Sequence, residues 1–270
     1  MTASEPTVLM ERDGHVAIVT LNRPERLNAL NGQIHDEFEA TLGQLNNDAD
    51  VRCVVITGSG RAFCAGADMK ELAPLFEDRD WEDSPEHHRQ ALRQGGQRIM
   101  HAVRRMDVPT IAMVNGVAVG GGFDLVATCD MAVGSENARF MVAYVRRGLF
   151  PDLGGFWVLP RIVGPRKAIQ IITTADFVEA DEAKELGILN ELVPHERLRE
   201  ETLALAQRIA ANPPIAVRLS KMLMWRGLQL DYDTAMEWSA STTALTEMSE
   251  DHHESVRAFL EKRDAKFEGR

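Results

Sequence analysis

The stretch NGVAVGGGFDL, Asn115 to Leu125, sets three consecutive glycines inside an apolar run and an acid just beyond them. Glycine weakens helices and strands alike, so a triplet marks a place where the backbone does something side chains forbid. The run PTIAMVNG before it reads as a buried strand, and FDLVATCD after it reads as a helix. A glycine turn leading from a strand into a helix presents free backbone N–H groups, with the positive end of the helix dipole behind them. Such a place favours negative charge. A phosphate is one candidate, although the loop lacks both the Gly-Lys-Ser/Thr ending of a P-loop and a clean G-x-G-x-x-G. The other candidate is a developing enolate or tetrahedral oxyanion held by N–H groups.

An oxyanion hole takes two donors, and the chain offers a second loop of the same kind. GSGRAFCAGADMKEL, Gly58 to Leu72, follows the buried strand CVVITG and leads into a short helical stretch. One such loop alone reads as a packing turn. Two strand–glycine-loop–helix units in one chain point to a site.

Outward from these loops, TVLMERDGHVAIVTLN reads as a hairpin about Asp13-Gly14. Ile34, Phe38, Leu42 and Leu45 recur at helical spacing. Ser84 and Pro85 are a cap and first-turn pair for a helix that carries Ile99, Val103 and Met106 towards its end. MAVGS is a third strand. Strands alternating with helices predict an α/β fold with parallel pairing. After about Pro194 the strand signals stop and four helical segments follow, up to HHESVRAFLEKRDAKF. The expected organisation is a core over 1–195 and a helical section over 196–270, packed on the core or on a neighbouring subunit.

The chain has 270 residues, enough for a large core, with a net charge of −11 and no dense basic block, which argues against a nucleic-acid partner. No apolar run is long enough to span a bilayer. The start MTASEPTVL lacks the pattern of a secretory signal. Three scattered cysteines, Cys53, Cys64 and Cys129, suit the reducing cytoplasm and show no zinc spacing. The pairs His87-His88 and His252-His253 sit in charged helical surroundings and read as solvated surface, so no metal is expected.

LNRPERLNALN, GRAFCAGADMKEL, NGVAVGGGFDLVATCD, LPRIVGPRKA, ADEAKELGILNELVP and VRAFLEKRDAKF together resemble the crotonase (enoyl-CoA hydratase/isomerase) superfamily, in family order and over nearly the whole chain. The resemblance implies a spiral of ββα units with a helical C-terminal trimerisation region, assembled as trimers or pairs of trimers. It implies that the N–H groups of Ala67 and Gly121 hold the thioester oxygen of an acyl-CoA as an enolate forms. It implies no cofactor, because coenzyme A is part of the substrate. By position, Arg26, Leu27, Ala29, Ala65, Asp68, Met69 and Gly120 would line the acyl-CoA site. Phe259 and Lys262 match residues that reach CoA from a neighbouring subunit.

The family runs several reactions through one oxyanion hole, so the acids decide among them. Its hydratases use two glutamates; here their positions hold Asp124 and Tyr144. A tyrosine, with an ordinary pKa of about 10, is a poor base near neutrality. GLFPDLGG instead supplies Asp152, where several family isomerases carry an acid. Dienoyl-CoA isomerases carry aspartates at both the Asp124 and Asp152 positions, but keep a glutamate where Tyr144 stands. A double-bond shift needs one or two carboxylates to move a proton and no activated water. Asp152 also reads as a helix cap, Asp124 as a first-turn acid and Tyr144 as a pocket wall. The expectation is an enoyl-CoA or dienoyl-CoA isomerase, with an enoyl-CoA hydratase and a noncatalytic acyl-CoA binder as the alternatives.

Overall fold

The computed structural model describes residues 5–72 and 84–270. The first four residues of the stretch read above for a secretory signal lie outside the described residues. β1 (Val8–Asp13) and β2 (Val16–Leu21) form the expected antiparallel hairpin. Its turn falls one residue later than predicted: Asp13 still pairs with Val16, and Gly14, at φ +58°, and His15 make the loop. β3 (Cys53–Gly58), β5 (Thr110–Val114), β7 (Met131–Ser135) and β10 (Glu191–Val193) continue the sheet in parallel, in the order β1-β2-β3-β5-β7-β10. Ala17, Val19, Val54 and Ile56 pack on one face, and Val16, Ile18, Cys53 and Val55 on the other. Burial on both faces explains why these strands read as continuous apolar runs.

A second sheet is built from strands too short to read singly. β4 (Ala62–Cys64), β6 (Val117–Val119) and β8 (Arg139–Met141) run parallel, and β9 (Val178–Glu179) closes the edge antiparallel. The helices are α1 (Gly32–Asn46), α2 (Met69–Leu72), α3 (Pro85–Gln94), α4 (Gly96–Arg104), α5 (Gly121–Thr128), α6 (Gly155–Val163), α7 (Pro165–Thr174) and α8 (Ala180–Glu185), before the helical C-terminal section. β3–β4–α2, β5–β6–α5 and β7–β8–α6 are successive ββα units of the expected spiral. The predicted cap Ser84 is present and accepts from the N–H of His87 at the start of α3; at the start of α1, Asn31 caps likewise by accepting from the N–H of Ile34.

Phe38 of α1, Phe63 of β4, Phe123 of α5 and Phe140 of β8 meet in the main core and are fully buried. Each such side chain contributes about 1.5–3 kcal/mol. The helical section after residue 195 is of two kinds. α9 (Leu198–Ala210) lies on the outer sheet face through Leu198, Ala206 and Ala210. α10 (Pro214–Gly227), α11 (Tyr232–Glu247) and α12 (Glu250–Glu261) bury only Pro214, Asp251 and Ala258. An ion pair between Lys221 and Asp130 at 2.7 Å and a hydrogen bond from Trp225 Nε1 to Asp130 at 2.8 Å tie α10 to the core. The helix expected through Phe267 stops at Glu261. There Lys262 turns at φ +55°, and buried Asp251 accepts the N–H groups of Glu268 and Gly269 at 2.7 and 2.9 Å, so the tail folds back.

Candidate active site

The three glycines meet three different constraints. Gly120 stands at φ +53°, a conformation L side chains rarely adopt. A Cβ on Gly121 would lie 3.0 Å from Leu153 Cδ1 and 3.1 Å from Leu30 Cδ1, side chains on the cavity wall. The tightest constraint falls on Gly122, whose Cβ would collide with the Cys64 carbonyl oxygen of β4. Gly121 opens α5, so its N–H has no carbonyl partner within the helix.

The second loop lies against the first. A Cβ on Gly66 would stand 3.3 Å from the Gly121 nitrogen. Ala67 pairs with Leu30 in a single parallel bridge, in which Leu30 N–H donates to Gly66 and Asp68 N–H donates to Leu30. The N–H of Ala67 takes no part in that bridge. Two side-chain amides, the buried Asn28 and the half-buried Asn115, hold the base of this loop. Asn28 Nδ2 donates to the carbonyls of Ser59 and Ala62, both at 2.9 Å, and Asn115 Nδ2 to those of Gly58 and Gly60, at 2.9 and 2.8 Å.

A cavity of about 620 Å3 opens onto both loops. Ala67, Gly121, Tyr144 and Asp152 line it, together with Ala65, Asp68, Met69 and Gly120. Asp68 is engaged by Arg23 at 3.0 Å and accepts the N–H of Lys70 at 3.1 Å. Burial raises its pKa, but Arg23 and the N–H donors outweigh it and hold the carboxyl below the usual range. Glu71, also on the wall, meets Arg23 at 3.2 Å.

Asp152 is half-buried, and burial raises its pKa against the opposing effect of its own backbone. The N-cap of α6 is Gly154, with no side-chain cap, so capping is not what Asp152 does. Gln97 Nε2 fixes its backbone by donating to its carbonyl at 2.9 Å. Asp124 is fully buried and stands behind the cavity wall rather than on it. The Tyr144 hydroxyl donates to its Oδ2 at 2.5 Å. Its Oδ1 has no hydrogen-bond partner and lies against Gly155, where a Cβ would be 2.2 Å away. Burial pushes the pKa of Asp124 up to about 7; Tyr144 opposes this, the charge of Asp152 adds to it, and the Gly155 backbone opposes it weakly. Burial and the two aspartates raise that of Tyr144, which stays a neutral phenol.

The expected pairing of Asp124 with Asp152 is therefore indirect: Tyr144 stands between Asp124 and the cavity. Arg26, Leu27 and Ala29 are not on the cavity wall. Arg26 is exposed and Ala29 buried, and the Leu27 carbonyl accepts the N–H of the wall residue Ala65 at 2.9 Å. Phe259 and Lys262 lie at the end of α12, outside the cavity lining of their own chain. Arg146 faces Asp176 at 3.4 Å, whereas Arg147 borders the cavity. Sequence reasoning missed Leu30, His35 and Leu153 as wall residues. Burial and then Arg98 lower the pKa of His35. Its one signal was its place beside the buried Ile34 at the start of α1. Among the described residues no group of three or more His, Cys, Asp or Glu could hold a metal ion, and no helix is long and apolar enough to cross a membrane.

Residues 11–270 match the family model described as enoyl-CoA hydratase/isomerase. The chain is 37% identical to the short-chain-enoyl-CoA hydratase of Clostridium acetobutylicum, over 97% of each chain. It is 32% identical to the 1,2-epoxyphenylacetyl-CoA isomerase of Escherichia coli, over 97% of this chain and 98% of that one. The crystal structure of an enoyl-CoA hydratase from Bacillus anthracis superposes with a TM-score of 0.91 at 33% identity, covering 98% of this chain and 100% of that one. With matching sequence, matching fold and two adjoining N–H loops on one cavity, the chain belongs to the enoyl-CoA hydratase/isomerase family of the crotonase superfamily.

Proposed function

We propose that this protein forms the enolate of an acyl-CoA thioester and moves a double bond, as an enoyl-CoA or dienoyl-CoA isomerase. The observation that carries this reading is the arrangement of acids. By the family resemblance Tyr144 takes the position of the second hydratase glutamate, and it holds Asp124 by a 2.5 Å hydrogen bond. Among the described residues of the cavity wall, Asp68 and Glu71 are engaged by Arg23, which leaves Asp152 as the carboxylate beside the two loops. In this reading Asp152 removes the acidic proton next to the thioester carbonyl, and the N–H groups of Ala67 and Gly121 stabilise the developing oxyanion. The raised pKa of Asp152 makes it a stronger base than an ordinary aspartate.

A hydratase reading is supported by the 37% identical Clostridium relative, whose name is short-chain-enoyl-CoA hydratase. It assigns Asp152 to a water molecule rather than to a carbon-bound proton. Initial rates on 2-enoyl-, 3-enoyl- and 3,5-dienoyl-CoA, with product masses, separate the two. A double-bond shift without a mass change should be the fastest reaction. Addition of water to a 2-enoyl-CoA at a higher rate would replace the isomerase reading.

The same proposal runs CoA along Ala65, Asp68 and Met69, with Phe259 and Lys262 contributed by a neighbouring copy in a trimer or a pair of trimers. The exposed apolar residues on α10–α12, such as Met224, Met248 and Phe259, support that assembly. The protein would act in the cytoplasm with no cofactor beyond the CoA of its substrate.

A further inference from the structure

We infer that Tyr144 is itself a catalytic residue: its hydroxyl delivers a proton to the far carbon of the dienolate, and Asp124 resupplies that proton from behind. This rests on the isomerase reading above and assigns the second proton transfer, which that reading leaves unassigned. Three observations carry it. Tyr144 lines the same cavity as Ala67, Gly121 and Asp152. Asp124 is fully buried and makes its one side-chain hydrogen bond to the Tyr144 hydroxyl, at 2.5 Å. Its other oxygen is turned away from Tyr144 and lies against the backbone of Gly155 at the start of α6.

The groups facing this pair are few. Asp152 acts on both Asp124 and Tyr144 through its charge, the Gly155 backbone faces Asp124, and the Cys64 thiol of β4 faces Tyr144. Burial pushes that thiol up to about 12, so it stays neutral. The charge of Asp152 adds to burial in disfavouring ionisation of Asp124, so in the proposed mechanism the proton stays on Asp124 and the charge on Asp152.

The steps balance with that one proton. In the structure the Tyr144 hydroxyl donates to Asp124; the proposed reactive state reverses this bond, so that a protonated Asp124 donates to the Tyr144 oxygen, the phenol proton turns towards the cavity, and Asp152 is a carboxylate. Asp152 takes the proton from the carbon next to the thioester, and the electron pair of that C–H bond enters the dienolate. The dienolate then takes the phenol proton at its far carbon, the new double bond forms, and the thioester carbonyl is restored. As the phenol proton leaves, the Asp124 proton moves onto the Tyr144 oxygen, so no phenolate is formed. The product state carries Asp152 protonated and Asp124 ionised, and one proton returning from Asp152 to Asp124 resets the site. The pair carries one negative charge at rest and in the product state, and between these states that charge resides on the dienolate.

The test uses a 3-enoyl-CoA in deuterium oxide, with the full-length wild type, Tyr144→Phe and Asp124→Asn. Two rates are followed: solvent exchange at the carbon next to the thioester, and formation of the shifted product. Tyr144→Phe keeps the ring and removes the hydroxyl. It should slow the double-bond shift by about 100-fold or more while exchange stays within about threefold of wild type. The wild-type shift rate should also fall as pH rises through about 7, when Asp124 loses its proton. That alkaline limb should vanish in both variants. Binding of butyryl-CoA by each variant, unchanged from wild type, shows that the cavity is intact. A Tyr144→Phe enzyme that shifts the double bond at the wild-type rate overturns the inference. So does one that loses exchange and shift equally, because the hydroxyl would then only position the substrate. An alkaline limb that survives in Asp124→Asn also overturns it. These outcomes leave the isomerase reading standing when the wild type is active. A wild type that neither exchanges nor shifts overturns that reading and this one together.

Discussion

A Cβ on Gly122 would stand 2.1 Å from the carbonyl oxygen of Cys64. That approach seats the first turn of α5 on the end of β4 and thereby sets where the neighbouring Gly121 N–H lies. The obstacle is backbone, which cannot swing aside as a side-chain end can. Gly122→Ala should therefore cost about 1–3 kcal/mol through overpacking. The melting temperature should fall by several degrees, and turnover should drop more than acyl-CoA binding. An unchanged melting temperature with full turnover would show that the contact places nothing.

Gly121→Pro tests the oxyanion donor itself. Gly121 is the first residue of α5, a position that tolerates proline, so the fold should survive. The donor N–H is lost, and turnover should fall about 100- to 1000-fold. A folded variant with near-wild-type turnover would remove Gly121 from the oxyanion hole.

Asp152→Asn keeps the size of the side chain and removes the base. It should abolish solvent exchange of the proton next to the thioester while leaving acyl-CoA affinity within about threefold. Exchange at the wild-type rate would require another base.

A chain ended after Leu230 lacks α11 and α12, including Phe259 and Lys262. Sedimentation should show loss of the oligomer, and CoA affinity should fall with it. An intact oligomer with unchanged affinity would assign the exposed apolar residues of these helices, Met248 at 81% and Phe259 at 82%, to some other role.

Asp124 gives a pH dependence of stability with a definite sign. Its native pKa of about 7 lies above the ordinary aspartate value of 3.8, so between these values the native chain binds more protons than the unfolded one. The contribution of this group is full below about pH 4 and is lost as pH rises towards about 7, at roughly 1.4 kcal/mol per unit of pKa difference. Asp124→Asn cannot titrate, so its melting temperature should fall less steeply over that window than that of wild type. Parallel curves would mean that Asp124 is ionised in the native state well below pH 7.

The strand–glycine-loop–helix units, the parallel α/β class and the helical ending were legible in the sequence, because each rests on local rules. Apolar runs bounded by glycine make buried strands, Ser84 makes a cap, and 3.6-residue spacing makes the face of α1. The strands of the smaller sheet are only two or three residues long, too short to carry a period, and they became visible only when paired with one another. The end of α12 was missed because the return of the tail depends on Asp251, whose N–H partners at Glu268 and Gly269 lie 17 and 18 positions away. The site divides in the same way. Sequence alone singled out Gly121, Ala67, Asp124, Tyr144 and Asp152, since loop chemistry and family motif are both written along the chain. Which of these groups touches the cavity was decided by packing. Tyr144 and Asp124 are 20 positions apart, and only the seating of α5 against the start of α6, past the missing side chain of Gly155, buries the carboxylate behind the phenol. Burial and a neighbouring charge set its protonation, and both are properties of a three-dimensional environment that no local stretch of sequence contains.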